Sequence, residues 1–183
     1  MGRAKAELVI DGRPIIHYLL DRFAWDGPTL LVTAPGREHP PGWERVTREV
    51  VDPVAGQGPL RGVLTALENS TTHRVVVTTI DMPGFAARHL RWLVDRSPAL
   101  ATMLRRGDRV EPFPSGFETG AASIIRHQIR AGELSVQALS RQAAVEVVPA
   151  PSDWDDDAWT NLNRPEELDA FLKRLSRSSR ADR

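Results

Sequence analysis

The apolar residues of the chain switch repeatedly between helical and strand-like spacing up to residue 100. Apolar positions three and four apart predict helices over residues 14–23, 58–69 and 85–97. Short continuous apolar runs predict buried strands over residues 29–34, 45–52 and 73–81. Strands that alternate with helices in this way are typical of a mostly parallel sheet covered on both faces. The pattern therefore predicts an α/β domain with three layers, of the Rossmann-like kind.

The pattern loosens beyond residue 100. Residues 99–113 predict two short strands around a turn at residues 106–108, and so an antiparallel addition to the sheet. The remaining predictions are helices at 119–131 and 135–143, a short strand at 144–148, and a closing helix at 165–175. We expect one domain over residues 1–175, followed by a polar, disordered tail over residues 176–183.

Composition narrows the class of protein. The chain has 183 residues, of which 41% are hydrophobic and 26% charged, which fits one globular domain. Lys plus Arg equals Asp plus Glu at 24 each, so no broad field would attract nucleic acid or a membrane surface. The absence of cysteine excludes disulfides and Cys-based metal sites. Since no apolar run reaches transmembrane length and no signal peptide is evident, we expect a cytoplasmic protein.

Asp81 stands where the strand predicted over residues 73–81 ends. In an open parallel sheet, ligands bind beyond the carboxyl ends of the strands. A carboxylate at that place suits a Mg²⁺ ion that also holds substrate phosphates. The same residue would also serve as a cap for the following helix, so the local pattern leaves both roles open.

A second candidate segment, DPVAGQGPLRG at residues 52–62, joins a predicted strand to a predicted helix. Gly56 and Gly58 let the backbone approach a ligand closely, and Pro59 opens a helix whose free amides favour an anion or a ring carbonyl. An ordinary tight turn would contain the same residues. Lys5 either neutralises a phosphate or is a solvated lysine near the start of the chain.

The other polar segments give weaker indications of a functional site. The acidic run DWDDDAW at residues 153–159 is expected to be a solvated loop rather than a cation site. The five histidines show no ligand spacing, so zinc is not predicted. No Ser/His/Asp nucleophile arrangement is recognisable in local context.

Taken in order, these segments resemble the molybdenum cofactor guanylyltransferase family, within the glycosyltransferase-A type of nucleotidyltransferases. MGRAKA resembles the end of that family's signature loop, and DGRPIIHYLLDRF resembles the helix that follows it. DPVAGQGPLRGVLTAL is similar to the nucleotide-base segment, and IDMPGF to the metal motif, with Ile80 in place of a cysteine. WTNLNRPEEL and GELSVQAL resemble later elements, and EPFP does so more weakly.

The resemblance implies a reaction in which GMP passes from GTP to molybdopterin or the molybdenum cofactor and pyrophosphate leaves. Mg²⁺ would be the cofactor, and molybdoenzymes or their chaperones would be protein partners. The implied site residues are Asp81 for Mg²⁺ and catalysis, Lys5 for catalysis and the triphosphate, Gly2 for the triphosphate, Asp52, Gly58, Pro59 and Leu60 for the guanine nucleoside, and Asn161 and Asn163 for the pterin.

The resemblance also implies a central strand and a glycine-rich loop ahead of Met1. We therefore expect the natural protein to start upstream, and the chain as given to lack the first strand and to have reduced activity. Two alternatives stay open. One is a cytidylyltransferase or a sugar-phosphate nucleotidyltransferase on the same framework. The other is a shortened, non-catalytic homologue that binds the cofactor or a partner.

Overall fold

Strands and helices alternate in this computed structural model, which describes residues 5–96 and 99–181, with side chains up to residue 177. The strands of the described part are β1 (Val9–Ile10), β2 (Arg13–Pro14), β3 (Leu30–Thr33), β4 (Arg48–Val51), β5 (Arg74–Val77), β6 (Ala101–Arg106), β7 (Arg109–Glu118) and β8 (Val145–Pro149). The α-helices are α1 (Ile15–Phe23), α2 (Gly58–Asn69), α3 (Ala87–Asp95), α4 (Ala122–Arg130) and α5 (Pro165–Ala181).

The α/β prediction is confirmed, and most predicted elements are present with somewhat different bounds. Strand β5 ends before Asp81, because the Met82 amide donates to the Thr79 carbonyl oxygen at 3.2 Å and closes a turn there. The helix predicted over residues 135–143 was wrong in type, since the structure has only a 3₁₀ helix there, Gln137–Arg141. Val136 and Leu139, both buried, are three residues apart, which matches the three-residue period of a 3₁₀ helix.

The largest sheet has the strand order β5-β7-β6-β8. Strand β7 runs antiparallel to both of its neighbours, whereas β6 and β8 are parallel. Strands β5, β6 and β8 therefore point the same way, and their carboxyl ends meet at one edge of the sheet. The β6–β7 hairpin confirms the predicted antiparallel addition, and Gly107 at its turn takes a φ of 58°, which favours glycine.

Strands β3 and β4 form a separate parallel pair, and within the described residues no backbone hydrogen bonds join β3 to β5. Helix α2 nevertheless packs against β3, β4 and β5, so it spans both sheets. Leu31 of β3 and Ile80 after β5 also belong to one apolar cluster. The two sheets thus lie side by side, and within the described residues their facing edges, at β3 and β5, are unpaired.

Helices cover both faces of β3. Leu31 packs with the apolar cluster that contains α1. The next residue, Val32, places its Cγ1 3.9 Å from the position that a Cβ at Gly62 of α2 would take. Since successive strand residues point to opposite faces, α1 and α2 lie on opposite sides of the sheet. This gives the three layers that the sequence predicts.

The segment at residues 153–159 is not the solvated loop that its acidic residues predict. Trp154 and Trp159 are each only 8% exposed and belong to the main apolar core. Asp155 caps a 3₁₀ helix by accepting a backbone N–H at 3.0 Å, and Asp157 pairs with an arginine of α5 at 2.8 Å. The prediction was right that the aspartates lie at the surface, and wrong that the segment is a loop in solvent, because burial of two indole rings fixes it against the core.

His89 of α3 lies between Phe85 and Trp154 and is 1% exposed. Its Nδ1 accepts the backbone N–H of Ala86 at 3.0 Å. Burial, and secondly the charge of the neighbouring Arg88, lower the pKa of His89 from 6.5 to about 4. The imidazole is therefore neutral in the folded protein at neutral pH.

We expect His89 to make the free energy of unfolding fall as the pH drops from 6.5 to about 4. In that window the unfolded state binds a proton that the folded state does not. The stability that the neutral His89 contributes is therefore complete above pH 6.5. It falls as the pH drops towards 4, by about 3 kcal/mol in total. Urea unfolding at about pH 7 and about pH 4.5 measures it. His89→Asn should flatten the pH slope, and the exposed His73→Asn should not. Equal slopes in wild type and His89→Asn would contradict the assignment.

The closing helix α5 runs through Ala181, so the domain boundary predicted at residue 175 falls inside it. The disorder predicted for residues 176–183 stays a prediction. Within the described part of the chain, no helix combines the length and apolar character that crossing a bilayer requires.

Candidate functional site

Asp81 lies in the turn that follows β5, at the carboxyl edge of the large sheet. Its carboxylate is 13% exposed. Thr79 Oγ1 donates to Asp81 Oδ1, and the backbone N–H of Leu162 donates to the Asp81 carbonyl oxygen at 2.8 Å. The side chain is therefore held at a fixed orientation, and its second oxygen is left to pair with a cation.

That second oxygen, Asp81 Oδ2, accepts the Lys5 ammonium. The same ammonium donates to Asn163 Oδ1 at 2.5 Å. Lys5 is 40% exposed, so the group of three side chains is open to solvent on one side. The sequence predicts each of these three as a site residue, and the structure brings them together.

Asn163 is positioned by the start of α5. Glu167 Oε2 accepts the backbone N–H of Asn163 at 2.6 Å and that of Arg164 at 2.8 Å, which satisfies two free amides at the helix N-terminus. Asn161 is exposed, and its Nδ2 donates to the carbonyl oxygen of Trp159 at 3.3 Å. The structure thus places Asn163, rather than Asn161, against Lys5.

Asp52 comes directly after β4, which belongs to the two-stranded sheet. Asp81, in contrast, follows β5 of the large sheet. The Asp52 backbone N–H donates to the Thr33 carbonyl oxygen at 2.8 Å. Its Oδ2 lies 3.9 Å from the Cβ position of Gly62, so the carboxylate lies beneath the first turns of α2. Its Oδ1 is buried without a hydrogen-bond partner among the described residues. A buried carboxylate oxygen without a donor is costly, and a ligand N–H or O–H would satisfy it.

The predicted nucleoside segment Gly58-Pro59-Leu60 forms the first turn of α2. Gly56 and Gly58 have φ values of 79° and 64°, which side chains adopt only with strain. Gly58 and Pro59 are exposed, so their backbone is open to a ligand. Leu60 is 0% exposed and packs in the core. The side chain of Leu60 therefore does not face a ligand. What remains for its predicted role is its backbone N–H, which is free at the N-terminus of the helix.

Sequence reasoning missed two residues that orient this site, Thr79 and Glu167. A hydroxyl two residues before a carboxylate is a local hydrogen-bonding pattern, and a glutamate in the first turn of a helix is typical of a cap, so both signals were present. Gly2, predicted to contact the triphosphate, lies outside the described residues, and its role stays a prediction.

Asp81 and Asn163 direct oxygen atoms at one cation, the Lys5 ammonium. Carboxylate and amide oxygens are hard ligands that suit Mg²⁺, which usually keeps waters and substrate phosphates as its other ligands. Over residues 5–96 and 99–181, no group of three or more His, Cys, Asp or Glu side chains is placed to hold a metal. The residues fit a Mg²⁺ ion that arrives with a nucleotide better than a metal centre made of protein ligands alone.

Known proteins resemble this chain in sequence. The profile of a family described as "MobA-like NTP transferase domain" matches residues 1–147. The molybdenum cofactor guanylyltransferase of Cereibacter sphaeroides is 27% identical over 173 residues, which are 91% of this chain and 86% of that protein.

Solved structures show the same fold. Molybdopterin-guanine dinucleotide biosynthesis protein A from Archaeoglobus fulgidus superposes with a TM-score of 0.77 at 20% identity, covering 96% of this chain and 92% of the other. The 2-C-methyl-D-erythritol 4-phosphate cytidylyltransferase of Thermus thermophilus gives a TM-score of 0.65 at 23% identity, with 94% of each chain covered. The fold is thus shared by a protein named for molybdopterin-guanine dinucleotide biosynthesis and by a cytidylyltransferase.

Proposed function

This chain belongs to the MobA-like NTP transferase domain family, and on that premise we propose that it transfers GMP from GTP to molybdopterin or the molybdenum cofactor. The family is one of nucleotidyltransferases, so enzymatic nucleotidyl transfer is the expected activity. The relative from Cereibacter sphaeroides, 27% identical, supports the choice of GTP and of this acceptor. Molybdoenzymes or their chaperones, as recipients of the product, are part of the proposal.

The observation that carries the proposal is the meeting of Lys5, Asp81 and Asn163 at the carboxyl edge of the sheet. A carboxylate, an ammonium and an amide provide a place for a divalent cation, for phosphate charge and for an acceptor group. Phosphoryl chemistry depends mainly on positioning and charge stabilisation, so these groups suffice without a nucleophilic side chain.

In the proposed step, a terminal phosphate oxygen of the acceptor attacks the α-phosphorus of GTP. A new P–O bond forms, the bond from the α-phosphorus to the bridging oxygen breaks, and pyrophosphate leaves with the electron pair. Mg²⁺, when bound at Asp81, supplies charge neutralisation at the phosphates. Lys5 stabilises the charge that develops on the phosphate oxygens, and Thr79 keeps the Asp81 carboxylate in place.

In this proposal the Asp52 carboxylate, which lies beside the first turns of α2, is the group that recognises the base as guanine. Guanine presents an N1–H and a 2-amino group side by side, and a carboxylate accepts both. The exposed first turn of α2 adds the backbone N–H of Gly58 for the base carbonyl or the ribose, while Pro59, which has no N–H, fixes the start of the helix. Cytosine offers one amino group and no adjacent ring N–H, so it would use this carboxylate less fully.

Pyrophosphate release with Mg²⁺ and molybdopterin present tests the proposal, with GTP and CTP compared side by side. We expect release from GTP that requires the acceptor, and release from CTP at least about tenfold slower, which is the effect of one lost hydrogen bond to a charged group. Faster release from CTP would replace the guanylyltransferase assignment by a cytidylyltransferase. Release from neither nucleotide would remove the enzymatic assignment.

A further inference from the structure

Two backbone segments approach each other very closely beside the candidate site. One is the turn at residues 82–85, directly after Asp81, and the other is the backbone at Asp157 and Ala158. A Cβ built on Gly84 would lie 2.9 Å from the Ala158 nitrogen and would overlap the Asp157 carbonyl group. Only a residue without a side chain therefore fits at position 84.

The requirement for glycine here comes from space rather than from backbone conformation. Gly84 is buried, and its φ lies outside the left-handed region that favours glycine. Gly116 of β7 is also buried with such a φ, but its Cβ position lies an ordinary 3.6 Å from the Leu93 carbonyl oxygen. Alanine should thus fit at residue 116 and not at residue 84.

The two segments lead directly to two of the candidate site residues. Asp81 immediately precedes the turn, and Asn163 lies six residues beyond Asp157. The Leu162 N–H, next to Asn163, donates to the Asp81 carbonyl oxygen at 2.8 Å. The contact at Gly84 and this hydrogen bond hold the two segments together, and with them the separation of the Asp81 and Asn163 side chains.

Neither segment has room to move away from the other. Phe85, at the end of the turn, is 0% exposed, and the Arg22 guanidinium donates to the Gly84 carbonyl oxygen at 3.3 Å. In the later segment, Ala158 and Trp159 are 1% and 8% exposed. A Cβ at position 84 would force the two backbones apart by about 1 Å or more, because a packed interior absorbs extra volume by shifting. That displacement reaches the candidate site along both backbones.

We propose that Gly84 is a positioning residue of the nucleotidyl-transfer site, which lets Asp81 and Asn163 face one cation. This inference rests on the proposed function. Gly84 acts through its backbone contact with Asp157 and does not itself contact the reacting atoms. A displacement of about 1 Å slows a reaction that depends on positioning by about 10²-fold. Binding of the nucleoside should change little, because Asp52 follows a strand of the other sheet.

Steady-state kinetics of Gly84→Ala test the proposal through the split between kcat and KM. We expect kcat to fall by about 10²-fold and KM for GTP to change by less than about threefold. Gly116→Ala, the same substitution at a buried glycine with room for a Cβ, should keep the wild-type values of both. Urea unfolding checks that each variant is folded under the assay conditions. A wild-type kcat in Gly84→Ala would overturn the proposal.

Mn²⁺ binding without nucleotide, followed by electron paramagnetic resonance, separates this inference from the proposed function. Lys5→Met leaves Asp81 and Asn163 open to the ion. In that protein, adding Gly84→Ala should weaken Mn²⁺ binding by about tenfold, and adding Gly116→Ala should not change it. This result in a protein that transfers no nucleotide would support the positioning role and remove the transferase proposal. Equal Mn²⁺ affinity, or no Mn²⁺ binding, would overturn the positioning role even if GTP is turned over.

Arg174→Gln tests the same contact if Gly84→Ala unfolds. Arg174 of α5 holds Asp157 by an ion pair at 2.8 Å and is 44% exposed, so its loss should leave the fold intact. Without this support, Mn²⁺ binding by the Lys5→Met protein should weaken by about threefold, the effect of one surface ion pair. Arg177→Gln, at an exposed arginine of the same helix, is the control. The same Mn²⁺ affinity in both would reject the positioning role.

Discussion

Replacing Asp81 by Asn is expected to lower Mg²⁺-dependent nucleotidyl transfer by about 10³-fold or more in an active preparation of the protein. The change removes the charge that holds the cation but keeps a side chain of nearly the same shape. An amide oxygen still accepts from Thr79 Oγ1, and the backbone bond from Leu162 is untouched. Initial rates of pyrophosphate release, with saturating GTP and acceptor, measure the effect.

The fold should survive this substitution. The lost ion pair with Lys5 involves a lysine that is 40% exposed, and such pairs contribute about 0–1 kcal/mol. Asp169→Asn, at an exposed carboxylate on α5, is the matched control and should transfer at the wild-type rate. Near-normal turnover in Asp81→Asn would remove this carboxylate from its proposed role.

Replacing Lys5 by Met is expected to slow transfer by about 10²-fold while tightening the binding of Mn²⁺ in the absence of nucleotide. The Lys5 ammonium lies against Asp81 Oδ2 and 2.5 Å from Asn163 Oδ1, where a divalent ion would lie. Two unit charges about 4 Å apart in water interact by about 1 kcal/mol, and a divalent ion doubles this, so removal of the ammonium should improve Mn²⁺ affinity by roughly thirtyfold.

Titration of Mn²⁺ by electron paramagnetic resonance measures this affinity independently of activity. Lys5→Arg, which keeps the charge, is the control and should bind free Mn²⁺ no better than wild type. The same Mn²⁺ affinity in wild type and Lys5→Met would show that the ammonium and the ion do not compete at Asp81. In that case Asp81 would not be the point at which the cation is held.

Most elements of this fold follow from apolar spacing. Helix α1 and strand β5 are each recognisable within about ten residues, because burial selects one period of apolar positions. The segment at residues 153–159 shows where this reasoning fails. Its aspartates predict solvation, but Trp154 finds aromatic neighbours on α3 that are distant in sequence, and Trp159 packs on Trp154. Local composition carries no information about such partners.

In the candidate site, too, local motifs predict the residues, whereas their contacts depend on the folded chain. Asp81, Lys5 and Asn163 are each predicted from a motif, and Thr79 and Glu167 had recognisable local signals. Nothing local indicates that Lys5 contacts both of the others, across separations of 76 and 158 residues. The full burial of Leu60 and the unpartnered oxygen of Asp52 are likewise properties of packing, because they depend on which helix covers which strand.

The sequence by itself determined the α/β class, the approximate positions of the main helices and strands, and the family, and it predicted the candidate site residues. These are encoded in periods and motifs that span a few residues each. Only the tertiary structure decided which of these residues meet, how deeply each is buried, and where, within the described residues, two sheet edges stay unpaired. Long-range packing sets those outcomes, since a side chain's charge partners and exposure depend on elements that the chain brings together only when it folds.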